Sequence, residues 1–403
     1  MDIKALAEKY KDYIIEKRRW FHQYPELSMQ EENTTNAIVK ELEAIGIPVK
    51  RFDGIYGCVG ELKGGRPGKM ILLRADIDAL PVTEQTGLPF ASKNEGRMHA
   101  CGHDCHIAML LGTAKILYEG KEELAGTVRF FFQPGEEIAL GAKAAIGQGV
   151  MEHVDTCFGM HVWSQLRSPY FNIEYGERMA SCDSFTLTVF GEAAHGASPH
   201  LGRDAIVAAS SIIMNLQAIS SRMKDPLGAL VVTIGTMNGG QNYNIIPDRV
   251  QLEGTVRTFN REFQDSMKGR ILEIAENTAR CYGCTVDLQY NCLTIPIVND
   301  NQELLRICKN AAVKLFGADT LSNMKRLTSS EDFSFLMDQA PGIFGYLGSC
   351  HPEIPGSEYS NHHEKFTVDE EILHRGSAIT AQYTIDFLEE NQTGNDTEHG
   401  IRT

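Results

Sequence analysis

Three continuous apolar runs in the first half of the chain constrain its fold most strongly. They are Lys69–Arg74, Thr127–Gln133 and Cys157–Trp163. Runs without polar alternation favour strands buried on both faces, which is typical of a largely parallel sheet covered by helices. The segment Ile107–Tyr118 is apolar on most sides and predicts a buried helix between two of these strands. Because ligands of such sheets gather beyond the carboxyl ends of the strands, we expect a functional site there.

The pattern changes near residue 180, where strands begin to alternate in polarity. The order becomes β-α-β-β-α-β, typical of a ferredoxin-like α+β module. The predicted elements are Ser184–Phe190, Ala205–Arg222, Ala229–Met237, Arg249–Thr258, Phe263–Cys281 and Thr285–Tyr290. We therefore predict an α/β protein with a discontinuous first domain, residues 1–181 and 294–403, and an inserted domain, residues 182–293. A length of 403 residues favours two domains as well.

Charge and hydropathy exclude several classes of partner. The net charge of -15 argues against nucleic acid, because a phosphate backbone would be repelled. No stretch approaches the ~20 apolar residues that span a bilayer, and the N-terminal segment lacks the apolar core of a secretory signal. We therefore predict a cytoplasmic protein without a membrane partner, in which the ten cysteines are reduced.

The segment His99–His106, with the sequence HACGHDCH, holds six potential metal ligands in eight residues. Thiolate, imidazole and carboxylate groups are ligands that a borderline cation such as Zn²⁺ accepts. The alternative is a polar loop that caps the following helix, with Asp104 as the cap. We favour metal binding, because so many ligand types rarely share one short surface loop.

Carboxylates follow two of the predicted strands. Asp76 and Asp78, two residues apart on leaving a strand, point the same way and could bind metal or orient a ligand imidazole. Glu136 and Glu137 are adjacent, and a cation would offset their repulsion. One of them can bind the metal while its neighbour acts as a general base. The alternatives are a turn before Pro81 and a solvated acidic turn.

Further candidates are scattered along the sequence. His161 lies inside an apolar run and His362 follows a loop rich in Gly, Pro and Ser, so each alone is weak evidence for a ligand. In the insert, His195 lies in the loop AHGASPH, Asn244 in GGQNYNIIP, and Arg257 on the next strand. These residue types suit recognition of an oxyanion and a carboxylate, although spacing alone favours ordinary turn chemistry.

Taken together, the motifs resemble those of the aminoacylase-type metallopeptidases. The most similar branch comprises hippurate hydrolases, N-acyl-L-amino-acid amidohydrolases and the auxin–amino-acid conjugate hydrolases of plants. The resemblance runs from Arg18 to Val368 and includes RADIDALP, HACGHDCH, QPGEE, GMHVW, AHGASPH, NIIPD and SSEDFS in that order. It implies a zinc-peptidase-like catalytic domain that binds two divalent metal ions, with Zn, Mn, Co and Ni as the candidates.

The resemblance also implies roles for single residues. Glu136 matches the catalytic base, and Asp78 matches an acidic residue that orients a ligand. His362 is preferred over His363 because it precedes the aromatic Phe366 by four residues. The implied metal ligands are Cys101, which bridges the two ions in this branch, His103, Glu137, His161 and His362.

The insert is implied to mediate dimerisation. We also expect it to act as a lid, because its closure over the catalytic domain would exclude water and complete the site. His195 is implied to reach the active site, in several relatives from the partner subunit. Asn244 and Arg257 match positions near the substrate carboxylate. We therefore expect a homodimer formed through residues 182–293.

The activity implied by the resemblance is hydrolysis of the amide bond of small N-acyl L-amino acids, giving a carboxylate and a free amino acid. A dipeptidase with the same two-metal mechanism is an alternative. Two others are a hydrolase that uses Cys101 as its nucleophile and a dimeric scaffold without catalysis. Only the metal-dependent hypotheses predict that a chelator abolishes activity.

Overall fold

The computed structural model describes residues 1–391; residues 392–403, the end of the predicted first domain, lie outside this range. The chain divides into two compact units. Unit 1 comprises Met1–Gly176, Asn299–Lys325 and the described residues from Asp332 onward, and unit 2 comprises Glu177–Val298 and Arg326–Glu331. The short return of the chain to unit 2 at Arg326–Glu331 has no counterpart in the predicted boundaries.

The described residues form ten α-helices and fifteen strands. The helices are α1 (Ile3–Lys9), α2 (Lys11–Gln23), α3 (Glu32–Ile45), α4 (His103–Glu119), α5 (Gly141–Ile146), α6 (Ala205–Ala218), α7 (Arg261–Cys281), α8 (Gln302–Phe316), α9 (Ser334–Met337) and α10 (Leu373–Glu390). Within residues 1–391, none of the helices combines the length and the apolar character that crossing a membrane requires.

The strands follow the same chain order. They are β1 (Val49–Arg51), β2 (Cys58–Lys63), β3 (Arg66–Asp76), β4 (Ala125–Gln133), β5 (Thr156–Arg167), β6 (Phe171–Asn172), β7 (Gly176–Met179), β8 (Cys182–Phe190), β9 (Ala194–His195), β10 (Leu230–Gly239), β11 (Ile245–Ile246), β12 (Arg249–Thr258), β13 (Thr285–Thr294), β14 (Ile297–Asn299) and β15 (Gly342–Cys350).

Unit 1 is built on a seven-stranded sheet with the order β1-β2-β4-β3-β5-β15-β6. The central pairs β3–β4, β3–β5 and β5–β15 are parallel, and the outer pairs are antiparallel. Strands β4, β5 and β15 are buried along most of their length, which explains why their sequences do not alternate. The predicted α/β fold class with a mixed sheet is confirmed, although only the central pairs are parallel.

Helix α4 is the central helix of unit 1. It is buried on nearly all sides, as its apolar sequence predicted, and it packs against β3, α2 and α10. The absence of a side chain at Gly112 permits this close packing, because a Cβ atom there would lie 2.6 Å from Ile14 Cδ1 and 2.8 Å from Ser377 Oγ. Four ligand-type residues of the HACGHDCH segment belong to the first turn of this buried helix.

Unit 2 contains a four-stranded antiparallel sheet with the order β10-β12-β8-β13. Along the chain, β8, α6, β10, β12, α7 and β13 follow the order β-α-β-β-α-β. The side chain of Asp204 caps α6 and that of Asn260 caps α7. Helix α6 ends at Ala218, four residues before the predicted end, because the chain continues as a short π-helical turn, Ile219–Met223.

Candidate metal centre

The candidate site of unit 1 forms where polar residues leave neighbouring parallel strands. Asp76 at the end of β3 pairs with Gln133 at the end of β4, so the two carboxylate-bearing segments begin side by side. On the other side of β3, Arg74 pairs with Gly159 of β5, which brings His161 to the same edge. Helix α4 begins at this edge as well. The sheet register therefore gathers side chains that are far apart in the sequence.

The structure brings all five predicted metal ligands into one cluster. The Cys101 Sγ atom lies 3.4 Å from His161 Nε2. The Glu137 Oε1 atom lies 3.8 Å from His103 Nε2 and 3.4 Å from His362 Nε2. Ligand atoms of Cys101, Glu137 and His362 lie within 4.8 Å of one another, and so do those of His103, Glu136 and Glu137. Glu137 thus belongs to two overlapping groups of ligand atoms.

Two buried atoms of this cluster test whether it suits a cation. Among the described residues, His103 Nε2 and Glu137 Oε1 are buried and have no hydrogen-bond partner. Leaving such atoms unsatisfied costs about 1–3 kcal/mol each, and bound cations would remove this cost. The sulfur, nitrogen and oxygen donors suit Zn²⁺ and related divalent ions. The residues present therefore fit the predicted divalent metals.

Asp78 fixes the orientation of His103. The His103 Nδ1 atom lies 2.9 Å from the carbonyl oxygen of Asp78 and 3.2 Å from its Oδ1, so the Nδ1–H group donates there and Nε2 faces the cluster. The other oxygen of Asp78 accepts hydrogen bonds from Ser28 Oγ and Glu137 N. Burial opposes protonation of His103, but the charges of Asp76 and Asp78 outweigh it and raise its pKa to about 10.

His161 is oriented by the peptide group that follows it. Its Nδ1–H group donates to the carbonyl oxygen of Val162 at 2.6 Å, which leaves Nε2 to face Cys101. Burial, together with the neighbouring imidazole of His106, lowers the pKa of His161 well below its usual range. His161 is therefore a neutral imidazole, which is the form that binds a metal ion.

Cys101 is a neutral thiol in the metal-free protein. Burial and the charges of Glu137 and Glu136 raise the pKa of this thiol well above its usual range. A cysteine nucleophile needs the opposite, a thiolate stabilised by a protonated histidine. The low pKa of its neighbour His161 also disfavours such an ion pair. The surroundings of Cys101 therefore favour a metal ligand over a nucleophile.

Asp76 and His106 hold the framework of the site. The Asp76 Oδ1 atom lies 2.5 Å from His106 Nδ1, and its Oδ2 accepts a hydrogen bond from Arg74. The other ring nitrogen of His106 accepts the amide hydrogen of Val162 at 2.9 Å. Because both nitrogens of His106 already have partners, this imidazole connects α4 to β5.

Two further HACGHDCH residues, Asp104 and His99, behave differently. Asp104 was the alternative helix cap, but Gly102 is the N-cap of α4 and Asp104 makes no capping bond, so that alternative is wrong. Asp104 lies 2.9 Å from Arg18 Nε and 2.8 Å from His22 Nδ1 in a fully buried ion network. His99 is buried but lies outside every group of ligand atoms that the described residues form. Nothing local in the sequence indicates the long-range partners of Asp104.

The predicted substrate-binding residues occupy two ends of the sheet in unit 2. His195 on β9 is held next to Asn244, because β9 pairs with β11 and Gly196 N donates to the Asn244 carbonyl oxygen. Arg257 lies eight residues beyond Arg249 on β12, which corresponds to roughly 25 Å of strand. The loops carrying His195 and Asn244 join the sheet near Arg249. Within one copy of unit 2, Arg257 therefore lies near the opposite end of β12 from the strand end that these two loops join.

The family described as Peptidase family M20/M25/M40 matches residues 72–386. N-acetylcysteine deacetylase of Bacillus subtilis is 39% identical over 93% of this chain and 97% of the relative. Thermostable carboxypeptidase 1 of Saccharolobus solfataricus is 36% identical over 96% of this chain and 98% of the relative. IAA-amino acid hydrolase ILR1-like 5 of Arabidopsis thaliana is 36% identical over 95% of this chain and 88% of the relative.

Solved structures extend the comparison to the fold. A candidate aminohydrolase from methicillin-resistant Staphylococcus aureus superposes with a TM-score of 0.91 at 34% identity, over 96% of this chain and 99% of that one. The YXEP protein of Bacillus subtilis, described as a dinuclear metal binding peptidase from the M20 family, superposes with a TM-score of 0.83 at 36% identity, over 95% and 99%. The similarity therefore covers nearly the whole chain.

Proposed function

The chain belongs to peptidase family M20/M25/M40, and on that premise we propose that it hydrolyses the amide bond of N-acyl L-amino acids. Membership confirms the predicted family and the predicted class of enzyme, a metal-dependent hydrolase of amide bonds. Two relatives are named for such substrates, N-acetylcysteine deacetylase and IAA-amino acid hydrolase. The observation that carries the proposal is the cluster of five ligand side chains next to Glu136.

Five side chains would hold the two cations of this mechanism. They are Cys101, His103, Glu137, His161 and His362. When bound, the cations lower the pKa of water and polarise the carbonyl group of the amide. Asp78 keeps His103 Nε2 directed at the cluster, and the Val162 carbonyl does the same for His161.

Glu136 is the proposed general base. A carboxylate oxygen of Glu136 lies within 4.8 Å of ligand atoms of His103 and Glu137, so this side chain borders the site at which the water would be activated. Glu136 would take one proton from that water and return it to the amine nitrogen as the carbon–nitrogen bond breaks. His195 would donate a hydrogen bond to the oxyanion that forms on the carbonyl oxygen.

Substrate binding by unit 2 is proposed to require two copies of the chain. A small N-acyl amino acid would not span Arg257 and the His195–Asn244 pair within one unit 2, because their segments join β12 near opposite ends and the strand runs for roughly 25 Å between Arg249 and Arg257. A partner subunit would supply the missing residues. The exposure of Met214 (71%), Leu227 (90%) and Tyr243 (98%) in unit 2 supports a homodimer formed there. Cytoplasmic location and the exclusion of nucleic acid stay predictions.

A carboxypeptidase or dipeptidase activity is the second candidate, because two relatives are named thermostable carboxypeptidases. Peptides and N-acyl amino acids present the same amide bond and a carboxylate on the amine side. We expect the metal-reconstituted protein to cleave N-acetyl, N-benzoyl or indole-acetyl amino acids faster than dipeptides. Each substrate would be tested with Zn²⁺, Mn²⁺, Co²⁺ and Ni²⁺. Cleavage of dipeptides alone would favour the second candidate, and full activity after chelation would contradict both.

The Glu136→Gln variant tests the proposed general base. General bases contribute about 10²–10⁴-fold to turnover, so kcat should fall by that factor while two equivalents of metal stay bound. The exposed Glu152 offers a matched control, because Glu152→Gln changes the same charge away from the cluster. A Glu136→Gln enzyme that retains metal and near-normal kcat would eliminate this assignment.

A further inference from the structure

The side chain amide of Asn361 contacts two other segments of unit 1. Its Nδ2 group donates to the carbonyl oxygen of Cys101 at 3.0 Å and to that of Val162 at 3.3 Å. Its Oδ1 accepts hydrogen bonds from the amide nitrogen of Ser164 at 3.4 Å and from its hydroxyl at 3.2 Å. Only this orientation of the amide satisfies two carbonyl oxygens on one side and a backbone N–H on the other.

These contacts connect three segments that carry proposed metal ligands. Cys101 is itself a ligand, His161 precedes Val162 in β5, and Asn361 directly precedes His362. The Val162 carbonyl is also the acceptor that orients the His161 imidazole. One half-buried amide therefore connects the supports of three ligands that come from distant parts of the sequence.

His362 depends on such an anchor more than the other ligands do. Its side chain is 54% exposed, so burial does not hold it in place. Its φ angle of 74° lies in the left-handed region, which is unfavourable for a residue other than glycine. Its amide nitrogen donates to the Ala100 carbonyl at 2.7 Å. This bond and the contacts of Asn361 hold the segment in its strained conformation.

We propose that Asn361 is a positioning residue that sets the spacing of Cys101, His161 and His362 and thereby the affinity of the site for its metal ion. The inference rests on the proposed metal centre and assigns the residue no contact with substrate. Residues that orient metal ligands typically change metal affinity by about 10–100-fold when they are replaced. The effect of replacing Asn361 on metal affinity should fall in this range, because its loss would release two of the ligand segments from the third.

Two substitutions separate the donor and acceptor functions of Asn361. Asn361→Ala removes all four hydrogen bonds. Asn361→Asp keeps the acceptor toward Ser164 but turns a carboxylate oxygen toward the carbonyl oxygens of Cys101 and Val162. We expect both variants to bind Zn²⁺ about 10–100-fold more weakly than the wild type, as measured by competition with a chromophoric chelator.

The Co²⁺ absorption spectrum distinguishes positioning from a general loss of stability. A Co²⁺–thiolate charge-transfer band reports the geometry around Cys101, and it should shift or weaken in both variants. Asn94→Ala is a matched control, because Asn94 is also half-buried and its amide donates to a backbone carbonyl, that of Pro25, at 2.8 Å. The control should keep the wild-type affinity and spectrum.

Each outcome decides the inference. Wild-type Zn²⁺ affinity and an unchanged Co²⁺ spectrum in both Asn361 variants would overturn it and leave the proposed function intact. Absence of the thiolate band in the wild-type protein would overturn the metal centre and this inference together. Should Asn361→Ala fail to fold, Ser164→Ala removes only the hydroxyl that orients the amide, and a several-fold weaker affinity is expected; an unchanged affinity would overturn the inference.

Discussion

Replacing Asp78 with asparagine removes a charge that holds two parts of the candidate metal centre together. One carboxylate oxygen lies 3.2 Å from His103 Nδ1, and the other accepts hydrogen bonds from Ser28 Oγ at 2.6 Å and Glu137 N at 3.0 Å. A carboxylate accepts at both oxygens, whereas a carboxamide accepts at one. If the asparagine oxygen keeps Ser28 and Glu137, its NH₂ group faces the N–H group of His103, and that contact is lost.

Two independent estimates give the magnitude of this loss. A hydrogen bond to a charged group contributes about 1.5–3 kcal/mol. Losing a residue that orients a metal-binding histidine typically weakens metal affinity by about 10–100-fold, or about 1.4–2.7 kcal/mol. The bond from His103 Nδ1 to the backbone carbonyl of Asp78, at 2.9 Å, survives the substitution. We therefore expect a loss of about 10-fold, at the lower end of the range.

The substitution should also change how many protons metal binding releases. Burial opposes the charge on His103, but Asp76 and Asp78 raise its pKa to about 10, so at pH 8 it carries a proton that a cation must displace. Asp78→Asn removes one of the charges that raise this pKa. The fraction of His103 that is protonated falls, and up to one proton fewer is released per ion bound.

Calorimetric titration of Zn²⁺ into the metal-free protein at pH 8, in two buffers with different ionisation enthalpies, measures both quantities. Ser28→Ala is the matched control, because it removes a donor to the same carboxylate and keeps the charge. An Asp78→Asn protein with wild-type affinity and wild-type proton release would refute the orienting role of Asp78.

Three further predictions concern stability. Burial, followed by the charge of Asp78, raises the pKa of Glu31 from 4.5 to about 7. The protonated form of Glu31 therefore stabilises the fold at low pH, and this contribution of about 3 kcal/mol is lost as the pH rises through 7. The Tm of metal-free Glu31→Gln should rise relative to the Tm of the wild type between about pH 5 and about pH 8, and a difference in Tm that does not change with pH would contradict this. Arg18→Met removes the guanidinium from the buried Asp104 carboxylate and leaves His22 as its remaining partner, which should cost about 3–5 kcal/mol in thermal unfolding, with Asp104→Asn in the double variant restoring part of it. Gly102→Ala forces an unfavourable φ of 93° on alanine and places a Cβ atom 2.5 Å from Val162 Cγ2. The Tm should therefore fall by the equivalent of about 1–3 kcal/mol. An unchanged Tm would contradict this and show that the loop relaxes.

The sequence predicted the fold well where one physical rule decides the outcome. Strands buried on both faces have apolar runs, and these runs became β3, β4 and β5. The strand Arg249–Thr258 has the predicted ends, because alternation and flanking turn residues define it. The helix predicted as Ile107–Tyr118 begins four residues earlier, at His103. The polar sequence of its first turn is typical of a loop, and only the tertiary structure shows that this turn is helical and buried against other segments.

The individual contacts of the site could not be predicted in the same way. The sequence contains ligand-type residues but does not show which of them already have partners. Asp104 pairs with Arg18, and His106 with Asp76, through contacts that the tertiary fold creates over long sequence separations. A role for Asn361 could not be predicted for the same reason. An asparagine before a histidine indicates nothing by itself, and only the tertiary structure shows its four hydrogen bonds.

His103 and His106 show what distinguishes a proposed metal ligand from a supporting histidine. They lie three residues apart on α4 with stacked rings 5.4 Å apart, and both Nδ1 atoms face an oxygen of Asp76 or Asp78. The difference lies at Nε2. In His103 this atom lies 3.4 Å from Asp76 Oδ2 and 3.8 Å from Glu137 Oε1 and makes no hydrogen bond to a described residue, whereas in His106 it accepts the Val162 amide hydrogen. The backbone of β5 therefore selects between two chemically equal imidazoles. A proposed ligand of this site is a histidine whose Nε2 atom makes no hydrogen bond to the backbone of the sheet. The tertiary fold, and not the local sequence, determines which histidine has this property.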